Sequence, residues 1–149
     1  MNRWDKYFFD LCERNAAMSK DPSTKVGAVI VRPDKTIASM GWNGFPRGVD
    51  DSGDRYADRQ TKYLMTVHAE ANAILSSQET IRGYSLYVSP LHPCADCAGM
   101  IIQSGVKRVK YRTQHRAEWA DSFRIAKTML NEAGVELINF DEENENALA

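Results

Sequence analysis

The chain has 149 residues, 43% of them hydrophobic and 26% charged, which is typical of one soluble globular domain. A formal net charge of −1 argues against a large nucleic-acid interface, because such an interface normally needs a basic face, but it permits a small anionic substrate. No apolar run is long enough to span a bilayer and the first residues lack the apolar core of a signal peptide, so we expect a cytoplasmic protein.

The first predicted element is an amphipathic helix near the N-terminus. Five residues at three- and four-residue spacing form its apolar face: Trp4, Tyr7, Phe8, Leu11 and Cys12. Cys12 on this face is most simply a core residue. After a break at residues 19–24, a buried strand is predicted at 26–31 and a second strand at 36–42, joined by a turn at Pro33.

From Asn43 to about Met65 the chain is polar and has no clean period, so we expect a long functional loop there. Beyond it, helices are predicted at 67–77, 94–103 and 118–131, and strands at 84–88, 106–111 and 135–140. In the first of these helices, Ala71, Ile74 and Leu75 are expected to face the core. In the last, one side carries Trp119, Phe123, Ala126 and Leu130.

The order of these elements predicts the fold class. After the first helix it reads strand, strand, helix, strand, helix, strand, helix, strand, which is typical of an α/β protein with a three-layer α/β/α sandwich around a mixed five-stranded sheet. No repeat or linker divides the chain. We therefore expect a single domain over residues 1–149, with a loose acidic tail over about 141–149.

Two short motifs carry residues suited to chemistry. His68-Ala-Glu70 and Pro93-Cys94-Ala-Asp-Cys97 together supply one imidazole, two thiols and a carboxylate. An imidazole and two thiolates leave the fourth position of a tetrahedral zinc for water, as a catalytic zinc requires. The order H-x-E followed by P-C-x-x-C is the established signature of zinc-dependent nucleobase deaminases.

The spacing of these residues suits metal binding and proton transfer. Cys94 and Cys97 lie three residues apart at a predicted helix start, so both side chains share one face, and the helix N-terminus favours thiolate there. Glu70 is predicted to shuttle protons while zinc-bound hydroxide attacks an amidine-like carbon and ammonia leaves.

The cysteines also allow less specific interpretations. A C-x-x-C pair alone can be a redox pair or half of a structural zinc site, and a structural zinc would recruit a fourth ligand such as Cys12, His92 or His115. The odd count of three cysteines fits a reducing compartment better than a disulfide framework. Because His68 and Glu70 accompany the pair, we expect a catalytic zinc, and an inactive zinc-stabilised binding subunit is the least favoured interpretation.

Four stretches of the chain resemble the deoxycytidylate (dCMP) deaminases of the cytidine deaminase superfamily. These stretches are residues 19–28, the loop Gly41-Trp-Asn-Gly-Phe-Pro-Arg-Gly48, residues 61–63 with 67–74, and residues 93–98 with 101–105. The loop narrows the resemblance from the superfamily to the dCMP deaminases. The resemblance implies a cytidine deaminase-like fold, one zinc per subunit on His68, Cys94 and Cys97, and hydrolysis of dCMP at C4 to dUMP and ammonia for thymidylate synthesis.

The resemblance also implies contacts with the substrate. Asn43 would hydrogen-bond the nucleoside at its sugar, the backbone at Ala69 would meet the base, and Val26 would line the base pocket. Gly44 and Gly48 would let the loop backbone approach a phosphate or sugar closely.

Three cations are candidates for the substrate phosphate. Lys25, at the head of the first predicted strand, is the leading candidate, with Arg47 and Lys62 behind it. The family often has hexamers that dCTP activates and dTTP inhibits, with a glycine-rich loop at the effector site. The glycines of that loop here, Gly41, Gly44 and Gly48, keep a homo-oligomer and such regulation as expectations.

Some features depart from the regulated members of the family, and two rival activities remain. Residues 76–79 lack the aromatic residue and arginine of some viral members, and Gln114 and His115 stand where many members have a tyrosine. A tRNA adenosine deaminase shares the Gly-Trp-Asn and H-A-E elements but needs a basic surface, which the charge balance opposes. An enzyme that accepts dCTP as well as dCMP would differ only at the pocket mouth.

Overall fold

The computed structural model describes residues 1–114 and 116–141. The strands are β1 (Gly27–Val31), β2 (Ile37–Trp42), β3 (Ser85–Ser89), β4 (Arg108–Tyr111) and β5 (Glu136–Asn139). The helices are α1 (Arg3–Ala16), α2 (Gly53–Ala57), α3 (Arg59–Met65), α4 (Ala69–Ser76), α5 (Ala95–Ser104) and α6 (Ala120–Glu132), and a 3-10 turn at Ala117–Trp119 leads into α6. Within the described residues, no helix combines the length and apolarity needed to cross a membrane.

The five strands form one mixed sheet in the order β2-β1-β3-β4-β5. β1 runs antiparallel to both of its neighbours, whereas β3, β4 and β5 are parallel. In this register Gly27 lies opposite Trp42 on one side and opposite Ser89 on the other. The start of β1 and the ends of β2 and β3 therefore meet at one edge of the sheet. The end of β4 reaches the same edge, because Tyr111 pairs with Val88.

Helices cover both faces of the sheet, which confirms the predicted three-layer α/β/α sandwich. α1 packs on one face, where Phe8, Phe9 and Cys12 meet Val29 and Tyr87. α4, α5 and α6 cover the other face and form the larger core with it. β1 is buried along its whole length because helices lie on both of its sides. The strands and longer helices predicted from the sequence are present, with their ends shifted by a few residues.

The buried stripe of α1 is rotated relative to the predicted one. Trp4 and Tyr7 were expected to face the core, but they are 38% and 49% exposed. Phe8 and Cys12 are buried as predicted, and the helix adds Asp5 and Phe9 to its buried side. The buried side of the helix is shifted because the Asp5 carboxylate points inward, where the sheet supplies hydrogen-bond partners for it. A pattern of apolar residues cannot predict a buried carboxylate.

The stretch from Asn43 to Met65, predicted as one irregular loop, contains two short helices. α2 and α3 pack against each other rather than against the sheet, so few of their residues are apolar and no period marks them. α3 begins where the carboxylate of Asp58 accepts a hydrogen bond from the backbone N–H of Thr61, at 3.1 Å.

The expectation that Leu75 faces the core is also wrong, because its side chain is 74% exposed. α4 ends one residue later, at Ser76, and it turns Ala69 and Ala73 toward the sheet. Ala71 is buried as predicted and Ile74 is partly buried. The small side chains of α4 allow the helix to approach β2 closely.

An ion pair with a buried carboxylate fixes α1 to the sheet. The carboxylate of Asp5 accepts hydrogen bonds from the Tyr87 hydroxyl, at 2.5 Å, and from the Lys110 ammonium, at 2.8 Å. Burial by itself would raise the pKa of Asp5, but the hydrogen bonds from Lys110 and Tyr87 outweigh it and hold the pKa below the ordinary value of 3.8. The resulting stability is fully present above that unfolded-state value, and it is lost as the pH falls through the lower folded-state pKa.

We predict that Asp5→Ala lowers the free energy of unfolding by about 3 kcal/mol, because it leaves the partly buried Lys110 ammonium and the buried Tyr87 hydroxyl without their partner. Urea unfolding at pH 7 measures this difference. Asp10→Ala, at an exposed position of the same helix, is the matched control and should change stability by less than about 0.5 kcal/mol. Equal effects of the two substitutions would contradict the anchoring role.

Candidate active site

A cavity of about 250 Å³ opens at the sheet edge where β1 begins and β2 and β3 end. Its wall combines the segment before β1, the residues after β2 and β3, α3, the first turn of α4 and the segment leading into α6. Of the residues singled out in the sequence for metal, proton or substrate contacts, seven line it: Val26, Asn43, Lys62, His68, Ala69, Glu70 and Cys94. Cys97 lies directly beneath this wall, against His68.

The three predicted metal ligands converge. The Nδ1 atom of His68 lies 3.3 Å from the Sγ of Cys94 and 3.4 Å from the Sγ of Cys97. All three donor atoms lie within 4.8 Å of one another. His68 is the N-cap of α4 and Cys94 is the N-cap of α5, so two helix N-termini bring their donors to one point.

The electrostatics of this trio suit a metal ion with thiolate ligands. Hydrogen bonds from Cys97 and His68 lower the pKa of Cys94. The contact with Cys94, together with burial, raises the pKa of Cys97, and the hydrogen bond to Cys94 raises the pKa of His68 to about 9. The protons that these groups share are those that zinc would displace, because zinc binds thiolate and neutral imidazole.

No fourth protein ligand joins the trio among residues 1–114 and 116–141. Cys12 is in the core on the opposite, α1-covered face of the sheet. His92 is buried and donates a hydrogen bond from Nδ1 to the carbonyl of Pro93, at 2.7 Å. His115 lies outside the described residues. One imidazole and two thiolates fit a zinc that keeps a position for water.

Glu70 is buried in the first turn of α4, two residues after His68. Burial raises the pKa of its carboxyl to about 7, although the charge of His68 acts in the opposite direction. A carboxyl that titrates near neutral pH can both accept and return a proton. The placement therefore suits the proton-transfer role predicted for it.

Asn43 shapes the cavity through its own hydrogen bonds. Its Oδ1 accepts from the backbone N–H of Val26, at 2.8 Å, and its Nδ2 donates to the carbonyl of Thr24, at 2.9 Å. Its own carbonyl accepts from the hydroxyl of Ser19, at 2.8 Å. An amide has two N–H groups and two lone pairs on oxygen, so one of each remains for a ligand.

Lys62 lines the cavity as part of a buried ion pair. Its Nζ lies 3.2 Å from Oδ1 of Asp21, and the two side chains are 6% and 8% exposed. It also donates to the hydroxyl of Ser23, at 3.1 Å. Asp21 in turn accepts from the backbone N–H groups of Ser23 and Thr24. The pair thus holds the segment before β1 against α3, and one N–H of the ammonium remains for a ligand.

Two of the three predicted phosphate cations, Lys25 and Arg47, are exposed and do not line the cavity. Lys25 points outward because side chains alternate along the extended segment that enters β1. Two arginines line the cavity in their place, Arg59 and Arg116. The Nε of Arg59 donates to the Tyr63 hydroxyl, at 3.1 Å, and within the described residues neither guanidinium pairs with a carboxylate.

The glycines of the predicted effector loop have structural explanations. A Cβ at Gly41 would come within 2.6 Å of the carbonyl oxygen of Ala69, so this glycine permits the close packing of α4 on β2. Gly48 has a φ of +83°, which favours glycine. The backbone of Gly44 exchanges two hydrogen bonds with Val67, which ties the loop to the approach of α4. None of the three lines the cavity, and an effector role stays a prediction.

Aromatic rings close the side of the cavity next to α6. The indole of Trp119 lies nearly perpendicular to the His68 ring, with centroids 6.4 Å apart, and to the Tyr63 ring, at 5.9 Å. It stacks nearly parallel to Phe123, at 6.3 Å. The sequence places Trp119 and Phe123 on one apolar helix side but gives no signal that this side meets the cavity, because that depends on where α6 begins.

Comparisons with known proteins agree with this site. Residues 2–113 match the model of the cytidine and deoxycytidylate deaminase zinc-binding region. An uncharacterized deaminase in the luxG 3' region of Aliivibrio fischeri is 41% identical over 140 residues, covering 92% of this chain and 93% of that protein. Human deoxycytidylate deaminase is 38% identical over 143 residues, covering 92% of this chain and 79% of that protein.

The fold has a close match among solved structures. A crystal structure of the dCMP deaminase from the cyanophage S-TIM5, in complex with dCMP and dUMP, superposes with a TM-score of 0.70 and 31% identity. The match covers 93% of this chain and 98% of the phage chain. Together with the convergent His-Cys-Cys set and its adjacent buried glutamate, these findings show that the chain belongs to the cytidine and deoxycytidylate deaminase family.

Proposed function

We propose that the protein is a zinc-dependent dCMP deaminase that converts dCMP and water to dUMP and ammonia. The observation that carries the proposal is the convergence of His68, Cys94 and Cys97 with the buried carboxyl of Glu70 in one cavity. The named relatives support the choice of substrate. The human relative is a deoxycytidylate deaminase, and the phage enzyme with the same fold binds dCMP and dUMP.

Glu70 carries the protons in this reaction. Zinc held by His68, Cys94 and Cys97 would supply a water that loses a proton near neutral pH. As the water adds to C4 of the cytosine, Glu70 takes the released proton and passes it to N3. It then carries the second proton from the new C4 hydroxyl to the exocyclic nitrogen, so that the C4–N bond breaks and ammonia leaves. A pKa of about 7 suits a group that must alternate between base and acid.

The wall beside the metal ligands binds the nucleoside. Val26 and Ala69 offer small surfaces next to His68, which suits a flat base. The free N–H and lone pair of Asn43 are positioned for a sugar hydroxyl, while its other two groups hold the segment before β1 in place. Val26, Ala69 and Asn43 thus keep the roles predicted for them, and Asn43 in addition holds the segment before β1 in place.

The phosphate subsite consists of Arg59, Arg116 and the remaining N–H of Lys62. All three line the cavity, and the two guanidinium groups have no carboxylate partner among the described residues. Guanidinium groups bind phosphate through charge-assisted hydrogen bonds. These residues replace Lys25 and Arg47 as the leading candidates because those two side chains are exposed elsewhere.

Other aspects stay predictions. The family resemblance implies a homo-oligomer with a hexamer favoured, regulation by dCTP and dTTP through Gly41, Gly44 and Gly48, and supply of dUMP for thymidylate synthesis. The cytoplasmic location rests on the sequence alone. Adding dCTP or dTTP to the deaminase assay and measuring the molecular mass in solution would test the first two.

We predict that Glu70→Gln lowers kcat/KM for dCMP by about a thousandfold, because glutamine cannot transfer a proton. The loss of cytosine absorbance measures the rate, and the variant should retain its zinc because Glu70 is not a ligand. Glu13→Gln, exposed on α1, is the matched control. Activity of Glu70→Gln within tenfold of the unmodified protein would rule out the proton-transfer role.

We predict that Arg59→Ala and Arg116→Ala each raise KM for dCMP about tenfold, because each removes a charge-assisted hydrogen bond to phosphate. Turnover of deoxycytidine, which has no phosphate, should not change. Arg124→Ala, which removes an exposed arginine of α6 outside the cavity, is the control. Equal losses with dCMP and deoxycytidine would contradict the phosphate assignment.

We predict that Cys94→Ala binds less than a tenth of the zinc held by the unmodified protein, which should contain one zinc per chain. Elemental analysis of the purified proteins measures the content. Cys12→Ala, on the other face of the sheet, should keep its zinc. Full zinc content in Cys94→Ala would place the metal elsewhere in the molecule.

A further inference from the structure

The turn that leads into α6 presents two side chains of different character to the cavity. Arg116 lies just before the 3-10 turn and Trp119 is its last residue, and both line the cavity. The backbone N–H of Trp119 donates to the carbonyl of Arg116, at 3.0 Å. This bond closes the turn, so the backbone brings the guanidinium and the indole, three residues apart in the chain, to the same part of the cavity wall.

The indole of Trp119 is placed beside the metal ligands rather than in the core. α6 contributes Ala126 and Leu130 to the core, farther along the helix, and Trp119 itself is half-buried. Its ring contacts are with His68, one of the predicted metal ligands, with Tyr63, which accepts a hydrogen bond from a second cavity arginine, and with Phe123, which also lines the cavity. The core therefore does not explain an aromatic residue at this position.

We propose that the Arg116–Trp119 turn works as one specificity unit, in which Arg116 takes the 5′-phosphate and Trp119 packs on the pyrimidine ring. Binding of the phosphate then places the indole on the base. The proposal rests on the proposed function, because it takes dCMP as the substrate. Packing of an aromatic side chain on a base is typically worth about tenfold or more in affinity.

The unit has a consequence for substrate choice. A nucleoside without phosphate loses the contact with Arg116 and also the placement of Trp119, so the two losses are coupled. A sugar phosphate without a base gains the first contact and not the second. The turn thus carries the contacts with both ends of one small molecule.

Tryptophan fluorescence tests the contact with the base. The zinc-loaded protein with Trp4→Phe and Trp42→Phe keeps Trp119 as its one tryptophan, since the chain has three. Titration with dUMP, the product, should give a saturable change in emission, and deoxyuridine should require at least about tenfold higher concentration. Competitive inhibition by dUMP with no change in Trp119 emission would overturn the proposal, and this readout needs no substitution at Trp119.

A double-mutant cycle tests the coupling. Arg116→Ala and Trp119→Ala should each lower kcat/KM for dCMP about tenfold, and the double variant should lose about twentyfold rather than a hundredfold. Trp119→Phe should recover part of the loss, and Trp4→Phe is the control outside the cavity. A hundredfold, additive loss of kcat/KM in the double variant would contradict the coupling of Arg116 and Trp119 but would leave the deaminase assignment intact. Absence of dCMP turnover in the unmodified protein would instead remove the proposed function, while the titration still reports on nucleotide binding.

Discussion

The active site depends on one constraint, the antiparallel pairing of β1 with both of its neighbours. This pairing places Gly27, Trp42 and Ser89 in one row. The segment before β1 therefore ends at this sheet edge, and the segments after β2 and β3, which lead toward α4 and α5, begin there. The N-caps of those helices, His68 and Cys94, can therefore meet. A shift of one residue in the pairing of β1 would turn its side chains to the opposite faces of the sheet and move His68 away from Cys94.

Much of this arrangement could be predicted from the sequence, because the signals are local. The metal ligands and Glu70 stand at fixed spacings in two short motifs, and metal chemistry restricts what such residues can do. The buried strand β1 is a continuous apolar run, and the alternation of strands and helices along the chain predicted the three layers. Val26, Ala69 and Asn43 line the cavity, which permits the substrate contacts that the family resemblance implies, although the Asn43 side chain is partly engaged in holding its neighbours. Those contacts themselves stay predictions.

The incorrect predictions arose where tertiary contacts decide the outcome. Apolar spacing favoured Trp4 on the inner face of α1, but a carboxylate with partners in the sheet took an inward position instead. Leu75 is exposed because α4 is short and meets β2 through alanines. Arg59 and Arg116 reach the cavity from segments far apart in the chain, which no local pattern indicates. The aromatic wall depends in the same way on the point at which α6 begins.

The most direct test of the central claim is the rate of ammonia release by the zinc-loaded protein from equal concentrations of dCMP, deoxycytidine, dCTP, CMP and a tRNA anticodon stem-loop. The account predicts equal amounts of ammonia and dUMP from dCMP, with a higher kcat/KM than for any other compound in the set. No ammonia from dCMP, or faster deamination of adenosine in the stem-loop, would contradict it.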